Sequence, residues 1–271
     1  MAGGLTVVGV GVSAVSHATV QTRLAIERAE IVLTLIPDPV AEMWVRSLNP
    51  STEPLSGNYY PGRDRLELYE ETAEAVLAHV RRGKRVCAVA FGHPGVVASP
   101  FHWAIERARA EGFEAVMLPA VSSLDCLFAD LGVDPARDGC RIYDATDFLA
   151  WRCPADPSSA LVLFQIGVIG EHRVRGRGAT CEPRGLGALA EALLECYTPG
   201  HRVAAYVAAQ HIIERPRIDW IELGRLEAAT IDYVATLYVP PACEREPNDA
   251  MVRRLNLTLE PRGGWRRADQ A

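Results

Sequence analysis

Val86-Cys87-Ala88-Val89-Ala90 runs directly into Phe91-Gly92-His93-Pro94-Gly95-Val96. A short Val/Ala run that stops at Gly-His-Pro-Gly reads as a buried strand opening into a tight loop. Glycine lets a flat ligand approach the main chain, and proline holds the turn without an N–H. In an α/β sheet such a loop lies at the carboxyl end of a strand, where ligands bind.

Outward from this stretch, strands alternate with helices. Residues 6–10 read as a strand that turns at Gly9-Val10-Gly11, and residues 17–29 as a helix. A second strand, 31–36, stops at Pro37-Asp38-Pro39, and a short helix follows over 40–48. Residues 49–64 are polar and rich in Pro, Gly and Ser, hence a loop. Residues 65–82 form a strong helix, with Leu66, Tyr69, Ala73, Val76, Leu77 and Val80 expected on one face. After strand 85–90 come helix 101–111, strand 115–118 and helix 123–131, the helices closed by Gly112 and Gly132. This alternation predicts an α/β fold with a mostly parallel N-terminal sheet.

The second half reads as strand 160–165, helix 185–196 and strand 202–207. Two further strands, 218–223 and 233–239, have no long helix between them, which predicts a mixed C-terminal sheet. The expected division is an N-terminal α/β domain over 1–134, a C-terminal α/β domain over 135–241, and a polar tail over 242–271. The tail has one short apolar patch, Leu255-Asn256-Leu257-Thr258-Leu259.

Composition narrows the function classes. The net charge of −6 argues against nucleic acid as the main substrate. Arg173, Arg175 and Arg177 make one basic stripe, read more plainly as a solvated loop. The seven cysteines, at 87, 126, 140, 153, 181, 196 and 243, form no C-x-x-C pair. Their odd number and scatter fit reduced thiols in a cytoplasmic protein. The histidines show no metal spacing, so no metal is assigned. No signal peptide and no stretch of membrane-spanning length is read. There is no G-x-S-x-G elbow and no G-x-x-x-x-G-K-S/T loop.

Three marked loops follow three strands: Gly9-Val10-Gly11-Val12-Ser13, Gly92-His93-Pro94-Gly95-Val96 and Pro119-Ala120-Val121-Ser122-Ser123. Each alone is plain turn chemistry, but together they would line one edge of a sheet. The first has G-x-G with alanine at position 14 in place of a third glycine, which speaks against a nicotinamide dinucleotide. Ser122 is also a candidate N-cap with Asp125 three residues on, a role that competes with ligand binding. Arg65 and Tyr69 are four apart on the strong helix and share a face, with Tyr59 in the loop leading in. A guanidinium stabilises an oxyanion and favours the tyrosinate form of a nearby phenol. The plainer reading leaves Tyr69 at the core rim and Arg65 in solvent.

The opening Val7-Val8-Gly9-Val10-Gly11, the Gly-x-Pro-Gly loop and the Pro-x-x-Ser-Ser loop resemble the tetrapyrrole methylase family. That resemblance implies two α/β domains, S-adenosylmethionine (SAM) bound in the cleft between them, S-adenosylhomocysteine as product, and a homodimer. Within the family, residues 59–69, 91–96 and the run Asp125-Cys126-Leu127-Phe128-Ala129-Asp130-Leu131-Gly132-Val133-Asp134-Pro135 resemble the borosin peptide backbone α-N-methyltransferases. So do Asp138-Gly139-Cys140, Ala145-Thr146-Asp147-Phe148-Leu149 and Phe164-Gln165. The resemblance implies that Tyr59, Arg65 and Tyr69 activate a substrate amide. It puts cofactor contacts at Gly9, Gly11, Phe91, His93, Val96, Ser122, Ser123, Gln165, Tyr206 and Thr236. Phe91 stands where the family often has tyrosine, so a hydroxyl contact is missing there.

About thirty residues follow Pro240-Pro241, and they are charged. The expectation is therefore a separate precursor peptide as substrate, with no nucleic-acid or membrane partner. A precorrin C-methyltransferase, a ribosomal RNA ribose methyltransferase and a non-catalytic SAM-binding module remain as alternatives on the same fold.

Overall fold

The computed structural model describes residues 3–13, 15–55, 57, 59–175, 183–260 and 264–268. Ala14, Arg177 and Cys181, and part of the arginine-rich tail, lie outside the described residues. The chain divides into two compact units. One comprises Met1–Leu131, Gly170–Ala179 and Val207–Arg217; the other comprises Gly132–Ile169, Thr180–Tyr206 and Ile218–Ala271.

The first unit carries β1 (Gly4–Gly9), α1 (Val20–Arg28), β2 (Ile31–Leu35), α2 (Pro39–Leu48) and β3 (Thr52–Pro54). It continues with α3 (Arg65–Arg81), β4 (Arg85–Ala90), α4 (Ser99–Ala110), β5 (Glu114–Met117) and α5 (Ser123–Leu131). The strands form one sheet in the order β3-β2-β4-β1-β5. Every pairing in it is parallel. β1 and β4 are central and covered on both faces, so they read as continuous apolar runs. Successive side chains alternate between faces. Leu5, Val7 and Ala88 join a cluster with Ala73, Val76 and Leu77 of α3 and Phe101 and Ala104 of α4. Val8, Cys87 and Val89 join the opposite cluster with Ile26 of α1 and Ala41 and Val45 of α2.

Two local expectations change. α3 buries Leu68, Thr72, Ala73, Val76, Leu77 and Val80, so its apolar face starts at Leu68. Leu66 is exposed although it lies on the stripe of Ala73, seven residues on, so the covered part of that face begins after the first residues of the helix. The stretch expected to be all loop contains β3, a three-residue edge strand. It pairs only with β2, so Pro54 costs no hydrogen bond on a second neighbour.

The second unit carries α6 (Pro135–Asp138), β6 (Cys140–Asp144), α7 (Ala145–Ala150), β7 (Ala160–Phe164) and α8 (Pro183–Leu194). β8 (Arg202–Val207), β9 (Arg217–Glu222) and β10 (Thr236–Val239) complete its sheet, in the order β6-β7-β10-β8-β9. β6 and β7 are parallel, whereas β10 is antiparallel to both β7 and β8, so the sheet is mixed as expected. In the stretch read as a polar tail, the chain builds a helix α9 (Asp249–Arg254) and an antiparallel pair, β11 (Leu257–Glu260) with β12 (Gly264–Arg267). No helix among the described residues is long and apolar enough to cross a membrane.

Candidate functional site

The sheet order explains why three loops converge. The chain leaves β1 toward β2, passing β4, and leaves β4 toward β5, passing β1. The adjacent strands β4 and β1 thus send their connections in opposite directions, which opens a crevice at their carboxyl ends. Because β5 flanks β1 in parallel, the loops after β1, β4 and β5 share that edge. The first two loops are zipped together: Gly11 N–H donates to the Gly92 carbonyl at 3.2 Å, and Gly92 N–H returns the bond at 3.0 Å.

The glycines there have different reasons. At Gly9 a Cβ would come within 2.1 Å of the Gly92 oxygen, so glycine is required for the loops to meet. Gly92 has φ +70° and nothing within 4 Å of a would-be Cβ. Its side faces open space, which leaves room for a ligand above the backbone.

His93 is half-buried in this loop and accepts a 2.9 Å bond from Gly95 N–H at Nδ1. A neutral ring then carries its proton on Nε2, ready to donate to a carboxylate or hydroxyl. Val96 N–H returns to the His93 carbonyl at 3.2 Å. The next residue, Val97, sits at φ +52°, a rare conformation for a β-branched residue. Phe91 donates its N–H to Leu35 O and packs against the α1/α2-side core.

Ser122 and Asp125 form the anticipated capping box of α5. Ser122 Oγ donates to Asp125 Oδ2 at 2.6 Å, Ser122 N–H donates to the same oxygen at 2.7 Å, and Asp125 N–H donates back to Oγ at 3.3 Å. The Ser122 hydroxyl is therefore committed to the cap. Ser123 is the first residue of α5.

In the second unit, Tyr206 of β8 and Thr236 of β10 are register partners, both buried. Gln165 follows β7, whose Leu163 pairs with Leu237 of the same β10. These three candidate residues therefore gather at one end of β7-β10-β8. Gln165 adopts φ +59°, a left-handed conformation unusual for a residue other than glycine.

The amide-activating candidates lie around the start of α3. Asp64 caps that helix, accepting from Leu66 N–H and Glu67 N–H. Arg65 donates to Tyr69 Oη from Nη2 at 3.0 Å and from Nε at 3.3 Å. Its Nη1 donates to the Glu171 carbonyl at 3.3 Å. That carbonyl belongs to a segment clipped antiparallel onto residues 62–65. Arg65 N–H donates to His172 O at 2.8 Å, Gly62 N–H to Val174 O at 2.9 Å, and Val174 N–H to Arg63 O at 2.9 Å. The Glu171 carboxylate accepts from Arg173 N–H and pairs with Arg175. Those contacts hold that carboxyl below its usual range. Two arginines of the basic stripe thus serve the clip. The rings of Trp103 and Tyr69 meet in a T-shaped contact, 6.1 Å between centroids.

Tyr59 is placed differently from Tyr69. Its hydroxyl lies 2.9 Å from Thr72 Oγ1, which itself donates to the Leu68 carbonyl at 2.7 Å. A hydroxyl has one proton, so Tyr59 must be the donor to Thr72. Burial pushes the Tyr59 phenol above its ordinary pKa, outweighing the lowering by the nearby Arg65 charge. Arg65 and Tyr69 are thus a bonded pair, and Tyr59 is anchored to Thr72. Thr72 and Glu171 escaped the sequence reading: one looks like an ordinary core-facing helix residue, and the other acts through its backbone. Among the described residues, no group of three or more His, Cys, Asp or Glu could hold a metal ion.

The model of the Tetrapyrrole (Corrin/Porphyrin) Methylases matches residues 4–210. The chain belongs to this methyltransferase family. Its relatives include the methyltransferase/ribosomally synthesized type I borosin cyclic peptide precursor of Coprinopsis marcescibilis. That protein is 38% identical over 263 residues, which cover 94% of this chain and 67% of the relative. The corresponding omphalotin A precursor of Omphalotus olearius is 36% identical over 260 residues, covering 94% of this chain and 62% of its own length. This methylase thus spans about three-fifths to two-thirds of the length of these relatives.

Solved structures support the same fold. Uroporphyrin-III-C-methyltransferase from Thermus thermophilus has a TM-score of 0.63 at 20% identity, covering 89% of this chain and 93% of its own. Diphthine synthase has a TM-score of 0.58 at 15% identity, covering 89% and 91% respectively.

Proposed function

We propose that this protein transfers a methyl group from SAM to backbone amide nitrogens of a ribosomally made precursor peptide. The observation that carries the reading is the Arg65–Tyr69 pair, 3.0 Å apart, held from behind by the Glu171 carbonyl. The names of the borosin relatives support a peptide substrate.

An amide nitrogen is a poor nucleophile because its lone pair is delocalised into the carbonyl. In this reading Arg65 donates to the substrate carbonyl oxygen and stabilises imidate-like charge there. Tyr69, acting as the tyrosinate with two Arg65 N–H bonds on its Oη, takes the amide proton and becomes the neutral phenol. Tyr59 lines the site, its hydroxyl anchored on Thr72. SAM, when bound, supplies a methyl activated on a sulfonium, so the remaining work is positioning and desolvation.

The residues present fit such a cofactor. The open face above Gly92 admits a flat group, and His93 Nε2–H suits its carboxylate. In this proposal Gly9, Gly11, Phe91, His93 and Val96 form its cradle, and Ser122 and Ser123 hold the third loop in shape. The proposal also assigns cofactor contacts to Gln165, Tyr206 and Thr236, which gather at one end of β7-β10-β8. A homodimer acting on a separate peptide chain completes the proposal.

Intact mass spectrometry tests it. Enzyme incubated with SAM and a candidate precursor peptide should add increments of one methyl to the peptide's backbone nitrogens. Arg65→Ala should abolish the increments while still binding S-adenosylhomocysteine in calorimetry. Methyl groups on the enzyme itself would overturn the separate-chain part, and failure to bind either cofactor form would overturn the whole.

A further inference from the structure

The start of α4 touches both halves of the chemistry proposed above. Phe101, Ala104 and Ile105 bury one side of this helix in the core that it shares with α3 and the sheet. Consecutive helical residues point about 100° apart. Next to Phe101, His102 therefore reaches the loop after β4, and Trp103 reaches α3.

His102 is exposed, so the core does not explain it. Its Nε2 lies 3.0 Å from the Gly95 carbonyl. A carbonyl only accepts, so the imidazole donates from Nε2–H. Gly95 is thereby held on both of its peptide groups, its N–H by His93 Nδ1 at 2.9 Å and its carbonyl by His102. A Cβ on Gly95 would come within 2.8 Å of Met117 Sδ at the end of β5, and within 3.4 Å of both imidazoles. The residues between loop and helix offer little else to hold the loop. Val97 sits at φ +52°, and Ala98 caps α4 without a side-chain hydrogen bond.

Trp103 is half-buried and meets the Tyr69 ring in a T-shaped contact. The Arg65 guanidinium lies 5.9 Å from the centroid of the same ring. One turn on, Arg107 pairs with Glu70 and Glu74 of α3 at 2.6 and 3.0 Å, which fixes the register of α4 along α3. We propose that His102 and Trp103 are positioning residues that set, from one helix, the two partners of the methyl transfer. His102 sets the loop at which the cofactor binds, and Trp103 sets the phenol that takes the amide proton. The inference rests on the peptide-methylation reading above and adds to it the residues that aim its parts.

The test separates the two roles. Affinity of the full chain for S-adenosylhomocysteine is read by calorimetry, and single-turnover methyl transfer to a precursor peptide by mass spectrometry. His102→Leu should weaken cofactor affinity about three- to tenfold, as for one lost hydrogen bond, and raise the KM for SAM in step. His102→Gln, which can donate to the same carbonyl, should restore most of it. Trp103→Leu should bind cofactor as the parent does and slow transfer at saturating SAM about three- to tenfold. Trp103→Phe, which keeps a ring against Tyr69, should recover most of the rate and decides alone if Trp103→Leu does not fold. Unchanged cofactor affinity in His102→Leu, no rescue by glutamine, or a Trp103 variant that loses affinity instead of rate would overturn the assignment. A parent protein that binds S-adenosylhomocysteine but methylates no peptide would overturn the peptide reading and the role of Trp103 with it. The role of His102 would then still stand or fall by calorimetry.

Discussion

Two tyrosines that look equivalent in the sequence should behave very differently when changed to phenylalanine. Tyr69→Phe deletes the oxygen that receives Arg65 at 3.0 and 3.3 Å. It removes the proposed proton acceptor and loosens the guanidinium that faces the carbonyl. General-base and oxyanion contributions are each about a hundred- to several thousand-fold. The expected loss in single-turnover rate is thus about 10²–10⁴, or roughly 3–5 kcal/mol of transition-state stabilisation. Tyr59→Phe deletes a neutral hydrogen bond to Thr72, whose own bond to the Leu68 carbonyl survives. Such a bond is worth about 0.5–1.5 kcal/mol net, so the rate should fall by no more than about tenfold. The assay is single-turnover methyl transfer at saturating cofactor and peptide, with S-adenosylhomocysteine affinity and thermal melting measured alongside. Both variants should bind cofactor normally. Equal losses for the two, or a Tyr69→Phe enzyme within tenfold of the parent, would refute the division of labour.

Gly9→Ala should cost about 3 kcal/mol or more, since its Cβ would press on the Gly92 oxygen and Pro94. Gly92→Ala, which meets nothing, should cost only about 1–2 kcal/mol for its positive φ; the opposite order in thermal melts would contradict the loop-zipper account. Burial pushes the Cys87 thiol from 9.0 up to about 12. Raised in the fold, that thiol leaves stability untouched below the unfolded value near 9, and stability then falls as pH climbs toward about 12. Denaturation from pH 8 to 11 should show this alkaline slope in the parent and less of it in Cys87→Ala; identical slopes would rule out the thiol as its source.

What could be read from the chain follows from how local each signal is. β1, β4 and α3 carry their periodicity and stop signals within themselves, and the Ser122/Asp125 box announces its helix, whereas the Asp64 cap emerges only in the structure. β3 could not be read, because Thr52-Glu53-Pro54 has no apolar alternation and exists only by pairing with β2. The short elements α6, β6 and α7 were missed between 135 and 150, where no run is long enough to show a period. At the site, four-residue spacing put Arg65 beside Tyr69, as observed. The same spacing says nothing about Tyr59, whose loop has no period and whose partner is set by tertiary packing. That Tyr206 lies directly opposite Thr236 is a matter of strand register, invisible in either strand alone.

The clip onto residues 62–65 gives the enzyme a clock. Arg65 waits for a carbonyl 106 residues downstream. At about 5–20 residues per second, ribosomes need roughly 5–20 s to traverse that gap. The parallel sheet behind Arg65 can be synthesised and packed in the meantime, since β1 to β5 all precede residue 120. A nascent chain would then pass through a stage in which its parallel sheet is packed but its arginine is unaimed. Competence arrives with the segment that carries His172 and Val174, so early folding and early activity are uncoupled by the order of synthesis itself.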